Sequence, residues 1–178
     1  SVGADAGASD VQVESEALPA VGVAGQSFEL KVKITNTGKA ALYRLRGQTK
    51  SDYPLFNGRE LVFGKLSPGE SREWTTTLGV CTVEKEKRRC NLPDDATDRA
   101  DGIRIAFEEA HGHAPPASEI RTTVKSLDRP QFSYQYQVAD SAGDNDGRIE
   151  RGESVTVFFD VQNTGKGKAL NVTANLRN

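Results

Sequence analysis

Ser27-Phe28-Glu29-Leu30-Lys31-Val32-Lys33-Ile34-Thr35-Asn36 alternates polar and apolar side chains without a break. Phe28, Leu30, Val32 and Ile34 fall on one side, and Ser27, Glu29, Lys31 and Lys33 on the other. Period two over ten residues predicts a β-strand with one buried face. The run stops at Asn36-Thr37-Gly38-Lys39, a turn by composition. The same pattern recurs later in the chain. Gly25-Gln26-Ser27-Phe28 lines up with Gly152-Glu153-Ser154-Val155, and Ile34 through Lys39 with Val161-Gln162-Asn163-Thr164-Gly165-Lys166, at a constant offset of 127. The core positions correspond in order: Phe28 with Val155, Leu30 with Val157, Val32 with Phe159, Ile34 with Val161. Each copy resumes at an Ala-Leu pair, Ala41-Leu42 and Ala169-Leu170. A repeat of this kind implies two units of one β fold.

Outward from these strands the chain reads as all-β. Residues 1–9 are a Gly/Ala/Ser/Asp tail. Residues 10–127 contain about seven strands with turns every 8–12 residues, the rhythm of an immunoglobulin-like sandwich. Within them, Leu18–Gly25 reads as a turn, Ser51–Arg59 as a polar loop, and Trp74 as a core residue of the strand at 71–80. Residues 128–178 hold about three strands, too few to close a sandwich. The expected architecture is a tandem immunoglobulin-like β-sandwich whose second unit is incomplete. That unit is then completed by further chain, by unit one, or by another molecule, a homo-oligomer included.

One stretch carries a specific chemistry. Asp140-Ser141-Ala142-Gly143-Asp144-Asn145-Asp146-Gly147-Arg148-Ile149-Glu150-Arg151-Gly152-Glu153 lies between two strand-like runs, 132–138 and 155–161. With Gly147 as a tight-turn glycine, Asp144 and Asp146 precede it, Arg148 offers a backbone carbonyl, and Glu153 closes the loop. Asp140 is the nearest substitute for the first ligand, because Ala142 cannot coordinate. Alternate oxygens converging at about 2.3–2.6 Å suit calcium. The competing reading is an acidic hairpin turn with nothing bound. Unit one has Ala20-Val21-Gly22-Val23-Ala24-Gly25-Gln26 in the corresponding place, so the fold alone does not call for acids there.

The remaining sequence mainly excludes. A net charge of −2 with mixed signs gives no nucleic-acid surface and no polybasic membrane patch. Apolar runs are strand-length, so none is a membrane-spanning helix. The absence of methionine and of a leader reads as a mature or excised piece of a longer product. Cys81 and Cys90 are placed to pair across a hairpin, which implies export; two free thiols are the alternative. Lys87-Arg88-Arg89 reads as a solvated loop or a binding patch. Glu108, Glu109, His111 and His113 read as surface residues or a metal cluster. With both histidines on one loop, no nucleophile–base pair is legible.

The pattern Gly143-Asp144-Asn145-Asp146-Gly147…Arg151-Gly152-Glu153-Ser154-Val155-Thr156-Val157…Val161-Gln162-Asn163-Thr164-Gly165…Ala169-Leu170-Asn171-Val172-Thr173-Ala174 resembles bacterial secreted, CARDB-like immunoglobulin modules appended to extracellular hydrolases. Leu42-Tyr43-Arg44-Leu45-Arg46 with 57–66 also resembles the region following the catalytic and PDZ parts of tail-specific serine proteases. The resemblance implies a non-enzymatic spacer or assembly module that partners the rest of a larger exported protein. A carbohydrate- or peptide-binding module is the alternative, with Tyr134 and Tyr136 as a same-face aromatic platform.

Overall fold

The computed structural model describes residues 10–139, 146, 148, 151–152, 154–175 and 177. The chain divides into two compact units, Ser1–Leu127 and Asp128–Asn178. Unit 1 contains β1 (Val11–Leu18), β2 (Val21–Val23), β3 (Glu29–Asn36), β4 (Leu42–Lys50), a 3-10 turn (Pro54–Phe56), β5 (Glu60–Leu66), β6 (Ser71–Thr77), β7 (Val80–Glu84), β8 (Lys87–Asn91), β9 (Arg99–Glu108) and β10 (Ser118–Lys125).

Eight of these strands form two facing sheets, one ordered β1-β3-β6 and the other β2-β10-β9-β4-β5. The alternation in β3 carries out its prediction: Leu30, Val32 and Ile34 are fully buried, while Glu29, Lys31 and Lys33 are not. They meet Leu45, Leu61, Phe63, Ile103 and Ile105 from the opposite sheet in one core. Each such side chain contributes about 1.5–3 kcal/mol on burial. The result is an immunoglobulin-like sandwich.

The structure departs from the sequence reading where pairing is non-local. Leu18–Gly25 is more than a turn: after the cis Leu18–Pro19 bond the chain crosses to the second sheet, and β2 pairs in parallel with β10 through Val21↔Thr123 and Val23↔Lys125. Trp74 is not a core residue but 38% exposed. It lies opposite Val32 on β6, the edge strand of its sheet among the described residues. The polar loop 51–59 is folded around Phe56, which is fully buried with its ring 4.7 Å from Tyr53 and 5.8 Å from Phe28. Buried Thr49 fixes that loop, its hydroxyl donating to the Phe56 carbonyl (2.6 Å) and accepting from the Arg59 N–H (2.8 Å). The charged stretch after Val80 forms β7 and β8, a separate two-stranded sheet.

In unit 2, β11 (Phe132–Ala139) and β12 (Thr156–Asn163) make an antiparallel two-stranded sheet among the described residues, against the three strands expected. Tyr134 stacks on Phe159 at 5.4 Å. Tyr134 is 65% and Tyr136 66% exposed, and Val157, Phe159 and Val161 of β12 are exposed too, whereas the matching Leu30, Val32 and Ile34 of β3 are buried.

Candidate functional site

The acidic stretch is the connection between β11 and β12, and its surroundings repeat unit 1 closely. In unit 1, β1 pairs with β3 from Val11↔Asn36 to Leu18↔Glu29. In unit 2, β11 pairs with β12 from Phe132↔Asn163 to Ala139↔Thr156. Asn36 and Asn163 then perform the same task at the open end of each hairpin. Asn36 Oδ1 accepts from the Gly38 N–H (3.0 Å) and its Nδ2 donates to the Ala40 carbonyl (2.8 Å). Asn163 Oδ1 accepts from the Gly165 N–H (3.0 Å) and its Nδ2 donates to the Gly167 carbonyl (2.8 Å). Gly38 N–H also reaches the Asp10 carbonyl, as Gly165 N–H reaches that of Gln131. The two hairpins are structurally equivalent. They differ in the connection, which spans 19–28 in unit 1 and 140–155 in unit 2, six residues longer.

Of the residues expected to coordinate calcium, Asp140, Asp144 and Glu153 lie outside the described residues. Asp146 and Arg148 are described: the Arg148 N–H donates to Asp146 Oδ1 at 2.8 Å, the short-range bond of an Asx-type turn. Among the described residues no group of three or more His, Cys, Asp or Glu side chains is disposed to hold a metal ion.

The second cluster, Glu108 to His113, is split by the strand it ends. Glu108 is on the exposed side of β9 and pairs with Arg46 at 2.5 Å. Glu109 has no exposed side-chain surface. Its Oε1 accepts from the Tyr43 N–H (2.8 Å), and its Oε2 from the N–H groups of His111 (2.7 Å) and His113 (3.1 Å). Burial raises its pKa, but the three N–H donors and the nearby His111 outweigh that and hold the carboxyl at about 2. Tyr43 adjoins Arg44, which has a φ of 51° where β4 bulges against β5. Glu109 therefore fastens the bulge of β4 to the turn after β9. Nothing in the local sequence distinguished it from Glu108.

Cys81 and Cys90 face each other across β7 and β8 and are joined by a disulfide. No helix among the described residues is long and apolar enough to cross a membrane.

No family model matches the chain, and no curated protein matches it. Among solved structures, it is similar to an alkylpurine DNA glycosylase from Pseudomonas fluorescens bound to DNA containing an abasic-site analogue (12% identity, TM-score 0.37, covering 67% of this chain and 31% of that one). It is also similar to a β-glucosidase from Listeria innocua in complex with isofagomine (12% identity, TM-score 0.35, 66% and 16%). This chain thus spans less than a third of the length of either.

Proposed function

We propose that the chain is a non-catalytic structural module of a larger exported protein, in which a calcium ion stiffens the connection at 140–153. The hairpin equivalence carries this reading. The β1–β3 hairpin of unit 1 closes with the same register and the same asparagine bonds, yet its connection has no acids. The aspartates and glutamate in unit 2 are therefore additional to what the hairpin needs, and their spacing suits a hard cation. Export is supported by the Cys81–Cys90 disulfide, since such bonds persist in oxidising compartments. The resemblance of Leu42–Arg46 and 57–66 to the region after the catalytic and PDZ parts of tail-specific serine proteases favours a protease as the parent. The exposed, same-face pair Tyr134 and Tyr136 favours one alternative, a carbohydrate- or peptide-binding module.

The test is thermal unfolding with calcium and then with excess chelator, on this chain and on Asp144→Ala/Asp146→Ala. A ligand bound only to the native state stabilises by about 2.7 kcal/mol at a hundredfold excess over Kd. A calcium-dependent rise in Tm that the double variant loses is expected. An identical Tm with calcium and chelator removes the cation from this reading.

A further inference from the structure

The hairpin β7–β8 is well built for something that buries nothing. None of its strand residues is buried. It is nevertheless held by a ladder from Val80↔Asn91 to Glu84↔Lys87 and by the disulfide between Cys81 and Cys90. Its two-residue tip is Lys85-Glu86, with φ of 47° and 66°. Hairpin tips of this kind prefer Asn-Gly, because the left-handed region costs other residues roughly 1–2 kcal/mol each. Here two long charged side chains occupy it instead. A hydrophobic core explains none of these features.

The surface so held is cationic. Lys85, Lys87, Arg88 and Arg89 stand against Glu84 and Glu86, in a chain whose net charge is −2. The ion pairs among the described residues all lie elsewhere. The ladder sorts the side chains between two faces. Thr82, Glu84, Lys87 and Arg89 share one, and Cys81, Cys90, Val83 and Arg88 share the other. On the second face Val83 is 70% exposed, and Arg88 lies opposite it with a guanidinium nitrogen 3.4 Å from Cys81 Sγ. Arginine is enriched at the centres of protein interfaces, and here one stands beside an exposed apolar side chain on a support already rigid. Covalent stapling lowers the ordering cost of binding. A polyanionic sugar or a nucleic acid would use the cations and have no use for Val83.

We propose that β7–β8 is a docking finger for an acidic protein segment. Lys87 and Arg89 meet carboxylates on one face, while Val83 and Arg88 seat an apolar side chain on the other.

The experiment measures binding of the whole chain to two labelled synthetic peptides of Asp and Glu, one with spaced leucines and one with serines in their place. Heparin and single-stranded DNA serve as competing probes. Binding of the leucine peptide is expected, weakening as salt rises. Lys87→Glu/Arg89→Glu should weaken both peptides by about tenfold, equivalent to ~1.4 kcal/mol. Val83→Ser should weaken only the leucine peptide, and Cys81→Ser/Cys90→Ser should speed dissociation of both. Because all these side chains are exposed, or lie outside the core, the variants should keep the melting behaviour of the sandwich. The proposal is overturned if the leucine peptide does not bind, if the charge-reversed variant binds like the parent, or if heparin or DNA binds more tightly than the peptide with no response to Val83→Ser.

Discussion

Glu109 brings two carboxylate oxygens to a point where three backbone N–H groups converge, and it stays ionised because of them. Its folded pKa, about 2, lies below the 4.5 of a free glutamate. The stability it contributes is therefore complete above about pH 4.5 and is lost as pH falls toward 2. Glu109→Gln leaves some of these N–H groups without a charged acceptor and should destabilise unit 1 by about 1.5–3 kcal/mol near neutrality. Urea unfolding of parent and variant should show two stabilities that approach each other as the pH is lowered from 4.5 to 2. A gap that is constant over that range would mean the carboxylate is not the group responsible. In the sequence Glu108 and Glu109 look alike. What separates them is that Glu108 ends β9 on its exposed side while Glu109 begins the turn after it, and that Tyr43 arrives beside Glu109, neither of which adjacent residues reveal.

At the level of single elements, the Asn-Thr-Gly turn shows why the repeat is written as it is. Asparagine bridges the turn with both ends of its amide, and glycine lets another strand come close. A Cβ at Gly38 would meet Asp10 Cβ at 2.8 Å, and one at Gly165 would sit 2.4 Å from the Gln131 backbone nitrogen. Gly38→Ala should cost about 1–3 kcal/mol through overpacking, read by denaturant unfolding followed through the fluorescence of Trp74, the only tryptophan. A cost below about 0.5 kcal/mol would show that the backbone moves aside freely. This turn and the alternation of β3 were legible because their signals are local. Three features were not, each for a non-local reason. β2 exists because β10, about a hundred residues later, offers it an edge. Trp74 is exposed because β6 is the edge of its sheet among the described residues. Phe56 is buried because Thr49 and Arg59 fold an outwardly polar loop over it. The acidic stretch between β11 and β12 is read from spacing alone; Asp140, Asp144 and Glu153 lie outside the described residues, and convergence of acids on one point depends on loop geometry that spacing does not determine.

For the molecule as a whole, the division into two units separates stability from whatever the acidic connection does. Every buried hydrophobic side chain among the described residues lies between Val11 and Val124. A fragment of residues 10–127 should therefore unfold cooperatively with nearly the Tm of the full chain. A fragment that melts many degrees lower would mean that residues 128–178 support the first core. The parallel pairing of β2 with β10 bears on a different property, resistance to tension. One strand lies near the start of unit 1 and the other at its end, and they run side by side in the same direction. A pull applied at both ends of the unit drives the two strands past each other along their length. Their hydrogen bonds then bear the load together, in shear, and cannot be opened one at a time as in an unzipping hairpin. Joined in line with other domains, such a unit is a stiff link in a tether, one that holds its length until the whole clamp gives way.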